Sequence, residues 1–367
     1  MKKRILFYIL CMLFVSPQPA RCEEPMRRGL FVTTIQEPAV LSSRKEIGRL
    51  ISFAKKARIK TLFVQIYRAN QAWFPSKVAD PGPYEACVKD LSEDPFALLI
   101  KQAHGAGIKV HAWLNMLSLG NNKDAALLKK YGSDILTRNL KEKKTLEDYK
   151  IDDQYFLEPG DPRLRKDLAD MVEEILRAYP DLDGVQFDYI RYPDKDPHYG
   201  FTRMNVERFK KATGLETIEE RSSEWEDWKR NQVTEFLELL VKRTRTIRPD
   251  IQISATGCMP YSRAYREAFQ DWPSWLERNL VDFVTIMSYS PYPREFERWI
   301  TTAKSKTAYF KKVNIGLGAY KLVRSPRTFE QEYRLCEKAG GGDCVVFHYG
   351  SVLQNPALSG FLTGDKK

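Results

Sequence analysis

The 367-residue chain is 43% hydrophobic and 12% aromatic, ample for a large core and long enough for one big α/β domain or two ordinary ones. Its formal net charge of +11 comes from basic residues interspersed with acids along amphipathic stretches such as "RKEIGRLISFAKKARIK". That pattern reads as solvated helix faces and argues against a nucleic-acid patch, leaving room only for a weak attraction to an acidic envelope polymer. The six cysteines show no C-x-x-C pair and no His at zinc spacing, so neither a metal nor another cofactor is implied.

Residues 1–22 read as a signal peptide. "MKKR" is a positive n-region, "ILFYILCMLFV" an apolar run of about a dozen residues, and Pro17 and Pro19 break it. The run is short of the ~20 residues that span a bilayer, and no later segment is apolar enough. Ala20-Arg21-Cys22 suits cleavage after Cys22, whereas "PARC" is a poor lipobox, so lipid anchoring at Cys22 is disfavoured. Loss of Lys2, Lys3, Arg4 and Arg21 takes four of the eleven net positive charges and leaves +7. The expected mature protein is secreted or periplasmic, without an integral membrane segment. Cys87, Cys258, Cys336 and Cys344 remain, and the compartment permits a Cys336–Cys344 bridge.

From residue 28 onward, short β-rich runs alternate with longer helical patterns, as in a parallel sheet. The runs are "RGLFVTTI" (28–35), "KTLFVQIYR" (60–68), "KVHAWLNM" (109–116), "DGVQFDYIR" (183–191), "IQISATGCM" (251–259), "VDFVTIMSYS" (281–290), "VNIGLGAY" (313–320) and "DCVVFHYG" (343–350). Helix starts are legible between them: Ser43 with Glu46 forms a capping box, Asp161-Pro162 supplies N-cap and N1, and Ser325-Pro326 opens another helix. Eight such units predict an α/β fold of the (β/α)8 TIM-barrel type over 23–367 as a single domain, with an open doubly wound sheet as the lesser alternative. Two long excursions, about 117–160 and 194–223, follow strands 3 and 4. They fall on the face where barrel enzymes build their sites.

The strand ends are polar and aromatic together. Strand 2 ends in Tyr67 and Arg68, strand 3 carries His111, Trp113 and Asn115, strand 4 shows Asp188, Tyr189 and Arg191, and later strands end in Tyr289, Tyr320 and His348. Aromatic planes beside hydrogen-bonding groups suit sugar rings, which have apolar faces and hydroxyl rims. Taken singly, Trp113 or Tyr320 reads equally as half-buried packing, and His111 or His348 as a satisfied core histidine.

Cleaving a glycosidic bond generally takes two carboxyl groups. Asp188 sits inside an apolar strand, where an acid is costly unless paired or functional. Its neighbours Phe187 and Tyr189 are expected to face the other way, and its structural partner would be Arg191 or Arg68. Glu158 in "YFLEPGDP" is the leading candidate for the second carboxylate, although the segment reads equally as a helix-start turn capped by Asp161. Glu37, Asp194 and Asp196 are further loop carboxylates.

In order along the chain, "RGLFVTTI", "FVQIYRANQAWFPS", "HAWLN", "LEPGDPRLR", "LDGVQFDYIRYP" and "TIMSYSPYP" resemble the motifs of the glycosyl-hydrolase-like 10 family across residues 26 to 352. The resemblance implies a barrel glycosidase acting on an envelope or extracellular polysaccharide, some relatives cutting the glycan strands of peptidoglycan. It places the family's strand-4 Asp on Asp188, its strand-3 Asn on Asn115 and its strand-2 Arg region on Tyr67 and Arg68. Two positions depart: Tyr189 stands where the family has a second Asp, and Glu158 where it has Asp or Asn before Pro-Gly. Strand 4 is also faintly similar to chitinase-type barrels (D-G-x-D-x-D-x-E). There Asp183, Gly184 and Asp188 match, but Gln186 and Ile190 replace the middle Asp and the catalytic Glu, so that mechanism is not expected in its usual form. An acetamido-sugar substrate remains compatible.

The resulting expectation is a glycoside hydrolase with Asp188 and Glu158 as catalytic carboxylates. Tyr67, Arg68, Asn115, Arg191, Tyr289, Tyr320, His111 and His348 would hold the sugar, and Trp73 and Trp113 would offer apolar faces. The rival is a glycan-binding barrel that kept its cleft and lost an acid. A peptide- or ester-cleaving hydrolase lacks support, since there is no G-x-S-x-G elbow and no plausible Cys-His arrangement.

Overall fold

The computed structural model describes residues 28–365; the expected leader, with Cys22, lies outside them. Eight parallel strands form the barrel: β1 Arg28–Val32, β2 Ile59–Arg68, β3 Lys109–Asn115, β4 Gly184–Asp188, β5 Gln252–Gly257, β6 Phe283–Met287, β7 Val313–Gly318 and β8 Cys344–Phe347. Each pairs with the next, and β1 pairs with both β2 and β8, which closes the sheet and leaves no edge. Around it run α1 Arg44–Lys56, α2 Pro95–Gly105, α3 Pro162–Ala178, α4 Ser223–Ile247, α5 Trp272–Glu277, α6 Pro293–Lys306, α7 Pro326–Lys338 and α8 Pro356–Thr363. This is the predicted (β/α)8 TIM barrel.

The helices begin where their caps dictate. The Ser43 hydroxyl accepts from the Glu46 N–H at the start of α1, and the Asp161 carboxylate accepts from the Arg163 N–H at α3. Ser325 makes no side-chain cap, so α7 opens on Pro326 alone. The first excursion contains an antiparallel pair, Ser118–Gly120 with Tyr155–Phe156. The second carries the helix Arg203–Thr213, and its Phe201 and Phe209 form a small separate core with Trp225 of α4.

Period-2 alternation divides each strand between two cores. Outward residues such as Leu30, Val64, Val110, Val185, Ile253 and Ile286 are buried against the helices, each contributing roughly 1.5–3 kcal/mol of apolar burial. Inward, Phe31, Phe63, Trp113 and Val345, with Phe283 and Phe347, plug the barrel. Beneath that plug Gly184 is required by packing, because a Cβ there would lie 2.4 Å from the His111 ring. His111 is thus an interior filler, edge-on to Phe63 at 5.2 Å between centroids, and burial pushes its pKa down to about 4. Its expected role at the mouth of the barrel is corrected accordingly.

Cys336 of α7 and Cys344 of β8 are joined by a disulfide, with Cα atoms 6.1 Å apart. Nearby on α7, Glu332 is fully buried and neither carboxylate oxygen has a hydrogen-bond partner. Burial pushes its pKa up to about 8, against ~4.3 in an unfolded chain. Because the folded value is the higher one, the stability of the neutral form is fully present below about pH 4.3 and is lost as pH rises through about 8. Glu332→Gln is expected to flatten this decline, matching the parent at pH 4 and exceeding it by roughly 2–4 kcal/mol at pH 8. Urea unfolding at the two pH values measures the difference.

Candidate active site

β4 ends at Asp188 because Tyr189 takes a left-handed backbone (φ 56°), a conformation of some energetic cost for a non-glycine residue. The turn brings the Tyr189 N–H back onto Asp188 Oδ1 at 2.7 Å. Two neighbouring strands complete the arrangement: the Trp113 indole of β3 donates to Oδ2 at 2.9 Å, and the Thr256 hydroxyl of β5 to Oδ1 at 2.5 Å. Asp188 is 4% exposed, so its orientation is set by three donors from three elements. The same turn places Tyr189 in the cleft wall, where the strand expected to run on to 191 would have faced it away.

Asp188 lies in a cavity of about 410 Å³ at the C-terminal ends of the strands, within the ~300–1,000 Å³ usual for ligand sites. Next to it, Asn115 Oδ1 accepts from Gln65 Nε2 at 3.2 Å. Opposite is an aromatic wall in which Tyr289 lies 5.0 Å from Phe347 and 5.8 Å from Tyr320 between ring centroids. Gly318 makes space for this wall, since a Cβ there would come within 2.9 Å of Tyr289 Cβ. Trp113 continues the surface at 5.8 Å from Phe347. Arg191 is nearly buried; its guanidinium stacks over Tyr189 at 4.6 Å and reaches Asp194 at 3.2 Å. Asp194 is also 3.5 Å from Arg263. Burial pushes the Cys258 thiol up to about 11, which removes it as a nucleophile at neutral pH.

The cleft therefore gathers Asp188, Arg68, Trp113, Asn115, Arg191, Tyr289 and Tyr320 from the expected set. Four others lie elsewhere. Tyr67 follows an irregularity after Gln65 that turns it into the outer core, where its hydroxyl accepts from Asn70 at 3.3 Å. Trp73 is partly buried against the outer core, beside Val40–Ser42, and does not line the cleft. His111 sits below the aromatic plug. His348 turns toward Ser351, 3.0 Å away, and its pKa is pushed down to about 4 by burial.

Glu158 is also outside the cleft, and its expected catalytic placement is corrected. Its carboxylate is 0% exposed and accepts from the Tyr192 hydroxyl and from the Gly160 N–H at 3.3 Å. Burial raises its pKa. Asn205 Nδ2 donates in turn to the Tyr192 hydroxyl at 3.4 Å and to the Gly200 carbonyl at 2.8 Å. Close by, the Lys229 ammonium donates to the Pro197 carbonyl at 2.7 Å, and burial pushes its pKa down to about 7. These contacts clamp the second excursion onto the turn that opens α3. Sequence reasoning passed over Gln65, Thr256 and Phe347, although polar residues at alternate positions of "IQISATGCM" mark an inward row that leads to Thr256.

A closed parallel barrel with its polar and aromatic cleft at the C-terminal strand ends has the architecture of barrel enzymes. Residues 26–334 match the Glycosyl hydrolase-like 10 family, and the chain belongs to it. It is 23% identical over 326 residues to the glycosyl hydrolase DigH of Escherichia coli K12, covering 82% of this chain and 70% of DigH. It is 22% identical to the glycosyl hydrolase YngK of Bacillus subtilis, covering 81% of this chain and 58% of YngK. In fold it is similar to the glycoside hydrolase domain of PgaB (BpsB) from Bordetella bronchiseptica, with a TM-score of 0.70 at 15% identity over 92% of this chain and 98% of that domain.

If Glu158 is a clamp, Tyr192→Phe removes the hydroxyl donor of a buried carboxyl group and leaves it only the Gly160 N–H. We expect a loss of ~1–3 kcal/mol in urea unfolding and faster amide exchange through 192–202. An unchanged midpoint with unchanged exchange would show that the clamp carries no load.

Proposed function

We propose that this protein is a glycoside hydrolase and that Asp188 is its principal catalytic carboxylate. The observation that carries the reading is the threefold anchoring of Asp188 at the floor of a cleft walled by aromatic rings and amide groups. A hydrolase must hold its carboxylate against the bond being broken, and donors from three separate elements fix it more tightly than one strand end can. Tyr289 and Tyr320 offer faces for pyranose rings, while Asn115, Gln65 and Arg68 offer hydrogen bonds to hydroxyls. Asp194, the other carboxylate lining this cavity among the described residues, takes the role expected of Glu158.

The substrate we infer is an envelope or extracellular polysaccharide, with N-acetylated sugars or peptidoglycan glycan strands as the leading classes. The reading follows the family and the glycosyl hydrolases to which the chain is similar. Export to the periplasm or exterior, after removal of residues 1–22, is part of the same proposal. It is supported by the leader-like sequence and by a disulfide, which persists in oxidising compartments. A second reading, a glycan-binding barrel without turnover, draws on one observation: Asp194 is held between two arginines.

Incubating the purified protein with envelope and extracellular glycans, including stem-peptide-free peptidoglycan strands, and reading the products by mass spectrometry separates the two. Hydrolysis predicts new reducing ends from one polymer, with the rate falling ~10³-fold or more in Asp188→Asn. Asp188→Asn at parental rate would remove Asp188 from the mechanism, and binding without products would establish the second reading. Thr256→Val keeps the side-chain shape and withdraws one donor; the expected loss is about tenfold to a hundredfold in kcat with KM little changed.

A further inference from the structure

The Asp188 cleft does not end at its own wall. Arg263 and Trp299 line it on one side and, on the other, line a groove of about 1020 Å³ between the short helix Tyr261–Arg266 and α6. The groove presents three aromatic residues, Tyr261, Tyr265 and Trp299, and four cationic ones, Arg263, Arg266, Arg298 and Lys306. Its acids are Glu267 and Glu295, and Glu295 is already engaged, accepting from the Ser290 hydroxyl at 2.6 Å and lying 3.4 Å from Arg298. Arg266 is exposed and in no ion pair among the described residues. In the cleft itself Arg68, Arg191, Arg263 and Lys321 face two carboxylates, and the Nε atoms of buried Arg191 and of Arg263 have no hydrogen-bond partner. A surface on which cations outnumber acids along a continuous path, interleaved with rings, fits a chain of sugars that carries negative charge.

We propose that the cleft and this groove form one extended site for a polysaccharide with carboxylates on its repeating unit. Arg263 stands at the junction, and Arg266 and Arg298 select the anionic chain. The inference rests on the glycosidase reading and narrows its substrate class. Each exposed arginine contributes modestly alone, as rim charges do, and several along one chain add up to selectivity that salt weakens.

The test is binding by the full chain carrying Asp188→Asn, so that no cleavage intervenes. Titration calorimetry compares hyaluronan and oligogalacturonate hexasaccharides with their carboxyl-reduced counterparts, which keep the linkage and lose the charge. In at least one pair the charged sugar is expected to bind about tenfold tighter. That preference should shrink about tenfold in Arg266→Ala/Arg298→Ala and when NaCl rises from about 50 to about 300 mM, while affinity for the reduced sugar stays unchanged. Equal binding within both pairs, or a preference that survives the double substitution in a folded protein (checked by circular dichroism), overturns the inference. So does a thymidine hexanucleotide that binds as tightly with the same arginine dependence. Failure of the glycosidase reading appears elsewhere, as absence of products from the protein with Asp188 intact, and does not alter these affinities.

Discussion

A carboxylate taken almost wholly out of water must have its hydrogen bonds supplied by the protein, and at the end of β4 this requirement organises the site. Asp188 receives a side-chain donor from β3, another from β5 and a backbone donor from its own chain, so the three adjacent strands must end in fixed register. The pairing of Asn115 with Asp188 and of Gln186 with Ser254 supplies that register. Closure of the barrel then holds it, because a slip in any one strand would move its whole inward row to the helix side. The site is rigid for the same reason the fold is.

Close packing beneath Asp188 sets the depth of the cleft. His111 fills the space that Gly184 leaves, the Phe31, Phe63 and Phe283 rings close the layer above it, and Trp113 spans from that plug to the carboxylate. The indole thus does two things at once, burying its ring in the barrel and aiming its N–H at Oδ2. Toward solvent the constraints relax. Arg68, Tyr320 and Lys321 are less buried than Asp188, and the wall passes into a groove whose cations have no dense network to hold them. Packing is tightest around Asp188 and loosens toward the groove.

The barrel was legible in the sequence because strand and helix periods alternate eight times and because Gly, Pro and Asx residues mark the turns. Asp188, Trp113, Asn115 and Tyr289 were legible because an inward row in a barrel leads to its mouth, whereas Arg191 reaches the cleft only through the turn at Tyr189. Tyr67 and Trp73 were misplaced by local breaks in that rule. An irregularity after Gln65 turns Tyr67 outward, and the strand's antiparallel return through Gln71–Ala72 carries Trp73 toward Val40–Ser42. Tyr189 failed in the opposite sense, since a left-handed residue ends the alternation one step early. Spacing along a strand cannot register such a break, because it depends on backbone torsions chosen by tertiary contacts. The charge balance shows the same limit. Dispersed basic residues read correctly as helix faces, yet two short segments far apart in sequence, 261–266 and 298–306, fold into one basic groove.

Perturbed ionisation is often taken as a sign of catalysis, and this barrel shows when that inference fails. Glu158, Glu332, His111 and Lys229 all have shifted pKa values, and in each case desolvation is the leading cause. None of them lines the cleft. Glu158 and Lys229 hold a long excursion against the barrel, His111 fills the interior, and Glu332 is an unpaired acid under α7. Burial alone shifts a proton equilibrium whether or not a substrate can reach the group. What distinguishes Asp188 is access together with anchoring: its oxygens meet donors from three directions and still border a cavity wide enough for a sugar. That combination sets Asp188 apart from the other buried ionisable groups, and the size of a pKa shift does not.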